Sequence, residues 1–296
     1  MSDILFSING RIRPEAEALI PAHDRGFLYG DGLFETLHAY GPHLFRLDLH
    51  LERLERGLAR LSIRNAPPLK TLERWLKEVV HQAGYAEANL RLTVTRGTGP
   101  RGPSTRGEFK TTAVIMVTDF HRRPESDYTK GVAAVVAGFR RMESSVTASL
   151  KTLNYIEQIL ARQEADAAGV DEALLLNSAG LLCEGSASNL TLVRDDGLVV
   201  PDPAMSGCLP GTVQLVALEL AQKLKIPVCQ AALGPFDLRD CAEAFLSGSM
   251  RELTPLVKVG DAKIGGGNPG PLTRKLIAAY RTLVQKECRG YRFPAK

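Results

Sequence analysis

A polar, proline-bearing stretch at 119–127 (Asp119-Phe120-His121-Arg122-Arg123-Pro124-Glu125-Ser126-Asp127) divides the chain into two differently patterned halves. That division constrains the fold more than any other feature. Before it, residues 3–8 and 11–13 alternate around Asn9-Gly10, a strong β-hairpin signal. Runs at 33–39 and 44–47 read as strands on either side of Tyr40-Gly41-Pro42-His43. Asp48 is placed to cap a helix over 48–61, where Leu51, Leu54, Leu58 and Leu61 share one face. Arg53 falls off that face and reads as a solvated side chain. A second helix over 71–83 stops at Gly84, and β-rich runs at 90–96 and 111–118 flank a loop heavy in Gly, Pro and Arg. The first half therefore reads as an α+β domain on an antiparallel sheet, over residues 1–120. A linker is expected over 121–130 and a larger second domain over 131–296. In that second half, strands are expected at 132–139, 172–177, 189–193 and 242–247, and helices at 155–168, 213–224 and 272–286. Gly265-Gly266-Gly267-Asn268-Pro269-Gly270 reads as a flexible connector.

Composition limits the functional classes. At 296 residues, 44% hydrophobic and 24% charged, the chain can bury a large core and is neither disordered nor fibrous. A net charge of +4 is too small and too dispersed for nucleic-acid binding, but suits small anionic ligands. The five cysteines show no C-x-x-C spacing and read as free thiols in a reducing compartment. No leader-like N-terminus and no run of about 20 apolar residues is seen, so a cytoplasmic protein with no membrane partner is expected. Gly97-Thr98-Gly99-Pro100-Arg101-Gly102 satisfies G-x-G-x-x-G, but a strand rather than a helix follows, so it is not a dinucleotide site. There is no P-loop and no G-x-S-x-G. His38, His43 and His50 lack the spacing of a zinc site, so no metal is expected.

Four segments have the makings of a site, although each is also an ordinary loop or turn when taken singly. Lys151, in Ser149-Leu150-Lys151-Thr152-Leu153-Asn154-Tyr155, stands just before a helix, where a desolvated pocket would make its amine usable. Glu184 lies in Cys183-Glu184-Gly185-Ser186-Ala187-Ser188-Asn189, read as a tight turn of small residues between two strands. Leu209-Pro210-Gly211-Thr212-Val213 opens a helix whose free N–H groups suit a phosphate. Ser247-Gly248-Ser249-Met250 places small hydroxyl residues at a strand end.

These segments occur in one order with three others: Asp24-Arg25-Gly26-Phe27-Leu28-Tyr29-Gly30-Asp31-Gly32-Leu33-Phe34-Glu35-Thr36, Leu49-His50-Leu51-Glu52-Arg53-Leu54, and Glu252-Leu253-Thr254-Pro255. Together, over essentially the whole chain, they resemble the class IV aminotransferases, the fold-type IV pyridoxal-phosphate enzymes. The resemblance implies a two-domain α+β fold, with a smaller N-terminal α/β sandwich and a larger C-terminal β-barrel-like domain with helices. It implies a homodimer acting on a small-molecule substrate, with the cofactor between the domains. It also implies roles: Lys151 carries pyridoxal 5'-phosphate covalently and moves protons; Glu184 pairs with the ring nitrogen; Arg53 binds the phosphate. Backbone at Thr212 and Val213, with Ser249, completes the phosphate cup; Ser188 is a further cofactor-binding residue, and Tyr155 lies near the ring oxygen. Relatives often carry an Ile-Thr pair where this chain has Thr212-Val213.

Within the family, three details resemble aminodeoxychorismate lyase. These are Thr36 after Phe34-Glu35, the loop Arg96-Gly97-Thr98-Gly99-Pro100-Arg101-Gly102, and Leu153-Asn154-Tyr155-Ile156-Glu157-Gln158. On that reading Arg101 receives a substrate carboxylate, Thr36 contacts or protonates the departing group, and Tyr29 and Phe34 line the substrate site. Glu184-Gly185-Ser186 and Asn154-Tyr155 are equally at home in aminotransferases. Pro103 stands where D-amino-acid enzymes carry a histidine. The expected reaction is conversion of 4-amino-4-deoxychorismate to 4-aminobenzoate and pyruvate, in folate biosynthesis. The alternative is transamination of branched-chain or D-amino acids with 2-oxoglutarate, and a remote one is a non-catalytic pyridoxal-phosphate-binding protein.

Overall fold

The computed structural model describes residues 4–195 and 197–293. Asp3 of the expected hairpin and residues 294–296 of the expected second domain lie outside these. The chain forms two compact units. The first runs to His121 and takes in Leu150–Asn154 and Gln285–Arg292; the second comprises Arg122–Ser149 and Tyr155–Val284, with Phe293. Two short segments of the expected second domain, Leu150–Asn154 and Gln285–Arg292, group with the first unit.

In the first unit, β1 (Leu5–Ile8) and β2 (Arg11–Pro14) make the hairpin, with Ile8 opposite Arg11. Asn9 and Gly10 have φ of 49° and 82°, the two positive values a type I′ turn needs. α1 (Arg25–Tyr29) leads into β3 (Gly32–Tyr40), and β4 (His43–Leu44) folds back on its end. α2 (Leu47–Arg60) and α3 (Leu69–Ala83) follow, then the long antiparallel pair β5 (Glu87–Thr98) and β6 (Lys110–Asp119). Among the described residues the antiparallel sheet runs β2-β1-β6-β5-β3-β4. The expected cap is corrected: Asp48 lies inside the first turn of α2, and Arg46, at φ 50°, occupies the N-cap without a side-chain bond. The apolar stripe fixes which face is buried. Leu51, Leu54 and Leu58 of α2 and Leu72, Leu76 and Val79 of α3 pack with Leu33, Leu37, Leu90 and Leu92. Gly57 lets α2 approach β3, since a Cβ there would come within 2.7 Å of a Leu33 methyl.

In the second unit the expected linker contains a short helix, α4 (Glu125–Thr129). Then come β7 (Val132–Arg141), α5 (Ile156–Ala167), β8 (Glu172–Asn177), β9 (Leu182–Gly185), β10 (Asn189–Arg194) and β11 (Gly197–Pro201). α6 (Pro203–Ser206), α7 (Thr212–Lys223), β12 (Val228–Ala231), α8 (Asp237–Asp240), β13 (Glu243–Gly248), β14 (Glu252–Val259), β15 (Ala262–Lys263) and α9 (Pro271–Glu287) complete it. The sheet runs β12-β11-β10-β13-β14-β7-β8-β9, with β15 beside β14, and curls into a half-barrel. The pairs β11–β12, β14–β7 and β7–β8 are parallel. Ala161 and Ala165 of α5 bury against Ala137, Ala173 and Leu175, small residues that let the helix lie close to β7 and β8.

Candidate active site

Lys151 is fastened to the first unit by its backbone. The Phe34 N–H donates to the Lys151 carbonyl (2.9 Å), the Leu153 N–H donates to the Gly32 carbonyl (3.1 Å), and Thr152 bridges to Leu33. Residues 151–153 thus add a short antiparallel piece to the edge of β3, in the stretch that β4 leaves uncovered. The half-buried Lys151 puts its Nζ 4.5 Å from the centre of the Phe34 ring, which also carries the Arg91 guanidinium at 3.7 Å. Strand alternation puts Phe34 and Thr36 on one face of β3, with Thr36 directly opposite Arg91. Lys151, Phe34 and Thr36 are therefore gathered at this edge.

Glu35 points to the other, helix-covered face and holds Arg53. Arg53 Nε donates to Glu35 Oε1 (2.8 Å) and Nη2 to Oε2 (2.6 Å), and His50 Nδ1 donates to the same Oε2 (2.7 Å). The solvated reading of Arg53 is thereby corrected: it is buried, because β3 supplies a carboxylate at the height where α2 presents the guanidinium. Burial alone would raise the Glu35 pKa. The charge and hydrogen bonds of Arg53 and the His50 bond outweigh it and hold Glu35 at about 2. Burial pushes His50 down from 6.5, more strongly than Glu35 raises it, and the Arg53 and Lys151 charges add to the lowering. Both native pKa values lie below those of the unfolded chain, so both groups stabilise the fold at neutral pH and lose that contribution as pH falls. The loss begins below 6.5, where unfolded His50 takes up protons first, and deepens below 4.5 until Glu35 itself titrates near 2. The urea midpoint should fall steadily between about pH 7 and pH 4, and His50→Asn should flatten the upper part of that fall. A midpoint constant over this range would contradict the assignment.

In the second unit, Glu184 lies in strand β9, opposite Leu175, and not in a turn as expected; the tight turn is 186–188, just after it. Its buried carboxylate accepts from Arg141 Nη1 in a very short ion pair, from the Leu209 N–H (3.0 Å) and from Asn189 Nδ2 (3.4 Å). Burial works against the Arg141 charge, but Glu184 outweighs it and holds the Arg141 pKa above its usual value. Asn189 also donates to the Leu209 carbonyl (2.7 Å), tying the start of β10 to the loop before α7. Gly211 caps α7 at its N-terminus without a side-chain bond, and a Cβ there would collide with Asn189 Oδ1. Thr212 and Val213 are the first two residues of the helix and both are buried. Asn189 pairs with Ser247, and a Cβ on Gly248 would come within 3.9 Å of the Ser188 Cα, so the turn carrying Ser249 adjoins Ser188. Glu184, Ser188, Thr212, Val213 and Ser249 are gathered by these contacts. Tyr155, half-buried, is the N-cap residue of α5.

Tyr29 and Arg101 meet in the first unit. The Tyr29 hydroxyl accepts from the Gly102 N–H (3.2 Å), and Arg25 Nη1 donates to the Gly102 carbonyl (2.6 Å) while lying 5.0 Å from the Tyr29 ring centre. Asp31 accepts from both Arg25 Nε and Arg96 Nε at 2.8 Å. Burial would raise its pKa, but the two arginines together hold it below the usual carboxylate value. Residues 99–101, His23, Arg25, Leu28 and Tyr29 enclose a cavity of about 210 Å³. Arg101 is exposed and has no acidic partner among the described residues.

Sequence reasoning missed Glu35, Arg141, Glu172 and Arg251 as site-shaping residues. Glu35 had one available signal, a carboxylate at an inward position of an otherwise apolar strand. Glu172 had the same signal, a carboxylate opening a fully buried strand, whereas Arg141 had none, its partner Glu184 lying 43 residues away, and Arg251 likewise depends on the distant Glu172.

The family model for amino-transferase class IV matches residues 32–259, and the chain belongs to that family. It is 29% identical over 284 residues to a D-alanine aminotransferase of Bacillus licheniformis, covering 96% of this chain and 98% of that one. A solved 4-amino-4-deoxychorismate lyase of Pseudomonas aeruginosa superposes with a TM-score of 0.85 and 32% identity, over 94% and 98% of the two chains. A T.th. branched-chain amino acid aminotransferase, solved with pyridoxamine 5'-phosphate, superposes with a TM-score of 0.89 and 28% identity, over 97% of each chain. The protein is thus a pyridoxal-phosphate-dependent enzyme, an aminotransferase or a lyase.

The residues present fit that cofactor. A carboxylate fixed by three donors suits a protonated ring nitrogen. The glycine-started, side-chain-uncapped N-terminus of α7 suits a phosphate. All five cysteines are free, and burial raises the pKa of Cys183 and Cys288 to about 12 and of Cys208 and Cys241 to about 11, so these four stay protonated and unreactive. Among the described residues no helix is long and apolar enough to cross a membrane.

Proposed function

We propose that this chain converts 4-amino-4-deoxychorismate to 4-aminobenzoate and pyruvate, in folate biosynthesis. The reading is carried by the recess in which the exposed Arg101 stands beside Tyr29 and His23, a guanidinium without an acidic partner among the described residues and suited to a substrate carboxylate. The similarity to the Pseudomonas aeruginosa lyase supports it.

In this proposal Lys151 holds the cofactor through its ε-amino group and Glu184 accepts a hydrogen bond from the ring nitrogen. Thr212 and Val213 N–H groups, Ser188, Ser249 and Arg53 hold the phosphate, and Tyr155 faces the ring oxygen. The two bonds from Arg53 to Glu35 fix the plane in which its guanidinium meets the phosphate. Pyridoxal phosphate, when bound, supplies an electron sink for the carbon that bears the substrate amine. The Lys151 amine would take the proton from that ring carbon as general base. The C–O bond on the neighbouring carbon would break as the ring becomes aromatic, and Thr36 would contact the departing three-carbon group or pass it a proton replaced from the Lys151 ammonium, so that it leaves as pyruvate. Arg101 holds a substrate carboxylate, and Phe34 and Tyr29 line the substrate site.

A second reading is favoured by the aminotransferase relatives: transamination of a branched-chain or D-amino acid with 2-oxoglutarate, with Lys151 again moving the proton. Incubating the holoenzyme with aminodeoxychorismate should yield 4-aminobenzoate, followed by its fluorescence. No product, together with stoichiometric conversion of the cofactor to its amine form by L-leucine or D-alanine, would reject the lyase.

A homodimer and a cytoplasmic location belong to the same proposal. The first is supported by the exposed apolar side chains of Leu19, Ile20, Phe27 and Leu28, the second by the five unpaired thiols. Sedimentation should give twice 32.2 kDa, and cell fractionation should recover the protein with the soluble contents.

A further inference from the structure

We propose that Glu172 and Arg251 form a positioning clamp that holds the two turns bearing Ser188 and Ser249 in place for the cofactor phosphate. The inference rests on the proposed placement of that phosphate and deepens it. Glu172, the first residue of β8, is completely buried. Its Oε1 accepts from the N–H groups of Ala173 and Ser186 (3.0 Å each) and, at very short range, from the Ser186 hydroxyl. Its Oε2 accepts from the Ser188 hydroxyl (2.7 Å) and lies 3.1 Å from Arg251 Nη2 in a buried ion pair. One carboxylate therefore grips the 185–188 turn with one oxygen and ties it to Arg251 with the other.

Arg251 in turn closes the neighbouring turn. Its N–H donates to the Gly248 carbonyl (3.1 Å), and its own carbonyl accepts from the Thr254 hydroxyl (2.8 Å). Gly185 is small for the same reason: a Cβ there would press on the Ser188 hydroxyl and stand 2.9 Å from the Glu172 carboxyl carbon.

Stability alone is a poor explanation for this arrangement. A buried ion pair gains little over an apolar pair of similar volume, and Arg251, itself buried, leaves Nη1 without a hydrogen-bond partner among the described residues. What the pair does, and an apolar pair could not, is hold one hydroxyl-bearing turn by directed hydrogen bonds and tie it to the next through a buried ion pair. Neither residue need touch the cofactor; both act through Ser188 and the 248–251 turn.

The full-length protein, stripped of cofactor by dialysis, is titrated in parallel with pyridoxal 5'-phosphate and with pyridoxal, which lacks the phosphate. Glu172→Gln keeps the shape but turns a donor toward Arg251. Its charge-neutral companion Glu172→Gln/Arg251→Met removes that clash and serves if the single variant does not fold. Each variant should weaken pyridoxal phosphate binding tenfold or more while leaving pyridoxal within about twofold. Equal losses for the two ligands would mean general structural damage, and no loss would mean no clamp; either overturns the proposal. Ser249→Ala, which removes a side-chain contact proposed to reach the phosphate directly, separates the two layers of inference. If that variant leaves the ratio of the two affinities unchanged, the phosphate placement itself is wrong. If it lowers the ratio and the Glu172 variants do not, the clamp alone fails.

Discussion

Lys151→Ala should yield a folded, colourless protein whose turnover falls by about 10³-fold or more. The fold should survive because 151–153 is held by backbone bonds to Gly32 and Phe34 that alanine also makes, and because the lysine side chain is only half-buried. What disappears is the amine beside the Phe34 ring. Borohydride reduction of the wild-type holoenzyme, followed by peptide mapping, should place a pyridoxyl group on Lys151. An alanine variant that kept its visible absorbance, with the label on another lysine, would refute this role.

The largest effect on stability is expected at Glu35. Truncation to alanine takes two hydrogen bonds and a counter-charge from the buried Arg53 guanidinium and one hydrogen bond from His50 Nδ1, a loss of about 3–5 kcal/mol. The carboxylate's depressed pKa, about 2, by itself corresponds to about 3 kcal/mol of native-state preference for the charged form at neutral pH. Urea unfolding at pH 7 measures the difference. Glu35→Leu/Arg53→Leu should recover part of it, since the hydrocarbon pair leaves no charge behind while the His50 Nδ1–H still lacks the Glu35 acceptor. A Glu35→Ala variant within about 1 kcal/mol of wild type would show that water reaches the Arg53 guanidinium after all.

Both residues show where pattern reasoning reaches and where it stops. The leucines at 51, 54 and 58 mark the buried face of α2, because a helix repeats every 3.6 residues regardless of its neighbours. The same wheel turns Arg53 outward, and there it misleads, because the missing fact is a carboxylate on β3 eighteen residues earlier. Asp48 reads as a cap from local chemistry alone, yet Arg46, in the left-handed region, takes the N-cap and starts the helix two residues sooner than an Asp48 cap would. Glu184 reads as a turn residue because of the small residues after it, whereas pairing with β8 draws it into a strand.

The sequence by itself determined what depends on neighbours along the chain: the Asn9-Gly10 hairpin, the amphipathic helices, the antiparallel first half and, through the ordered motifs, the family. Only the tertiary structure decided which oxygen meets which nitrogen: Glu35 with Arg53, Glu184 with Arg141, Glu172 with Arg251, and Lys151 laid along the edge of β3. Local periodicity is set by backbone geometry and needs no partner, whereas a buried charge is tolerable only beside one that folding brings from elsewhere in the chain.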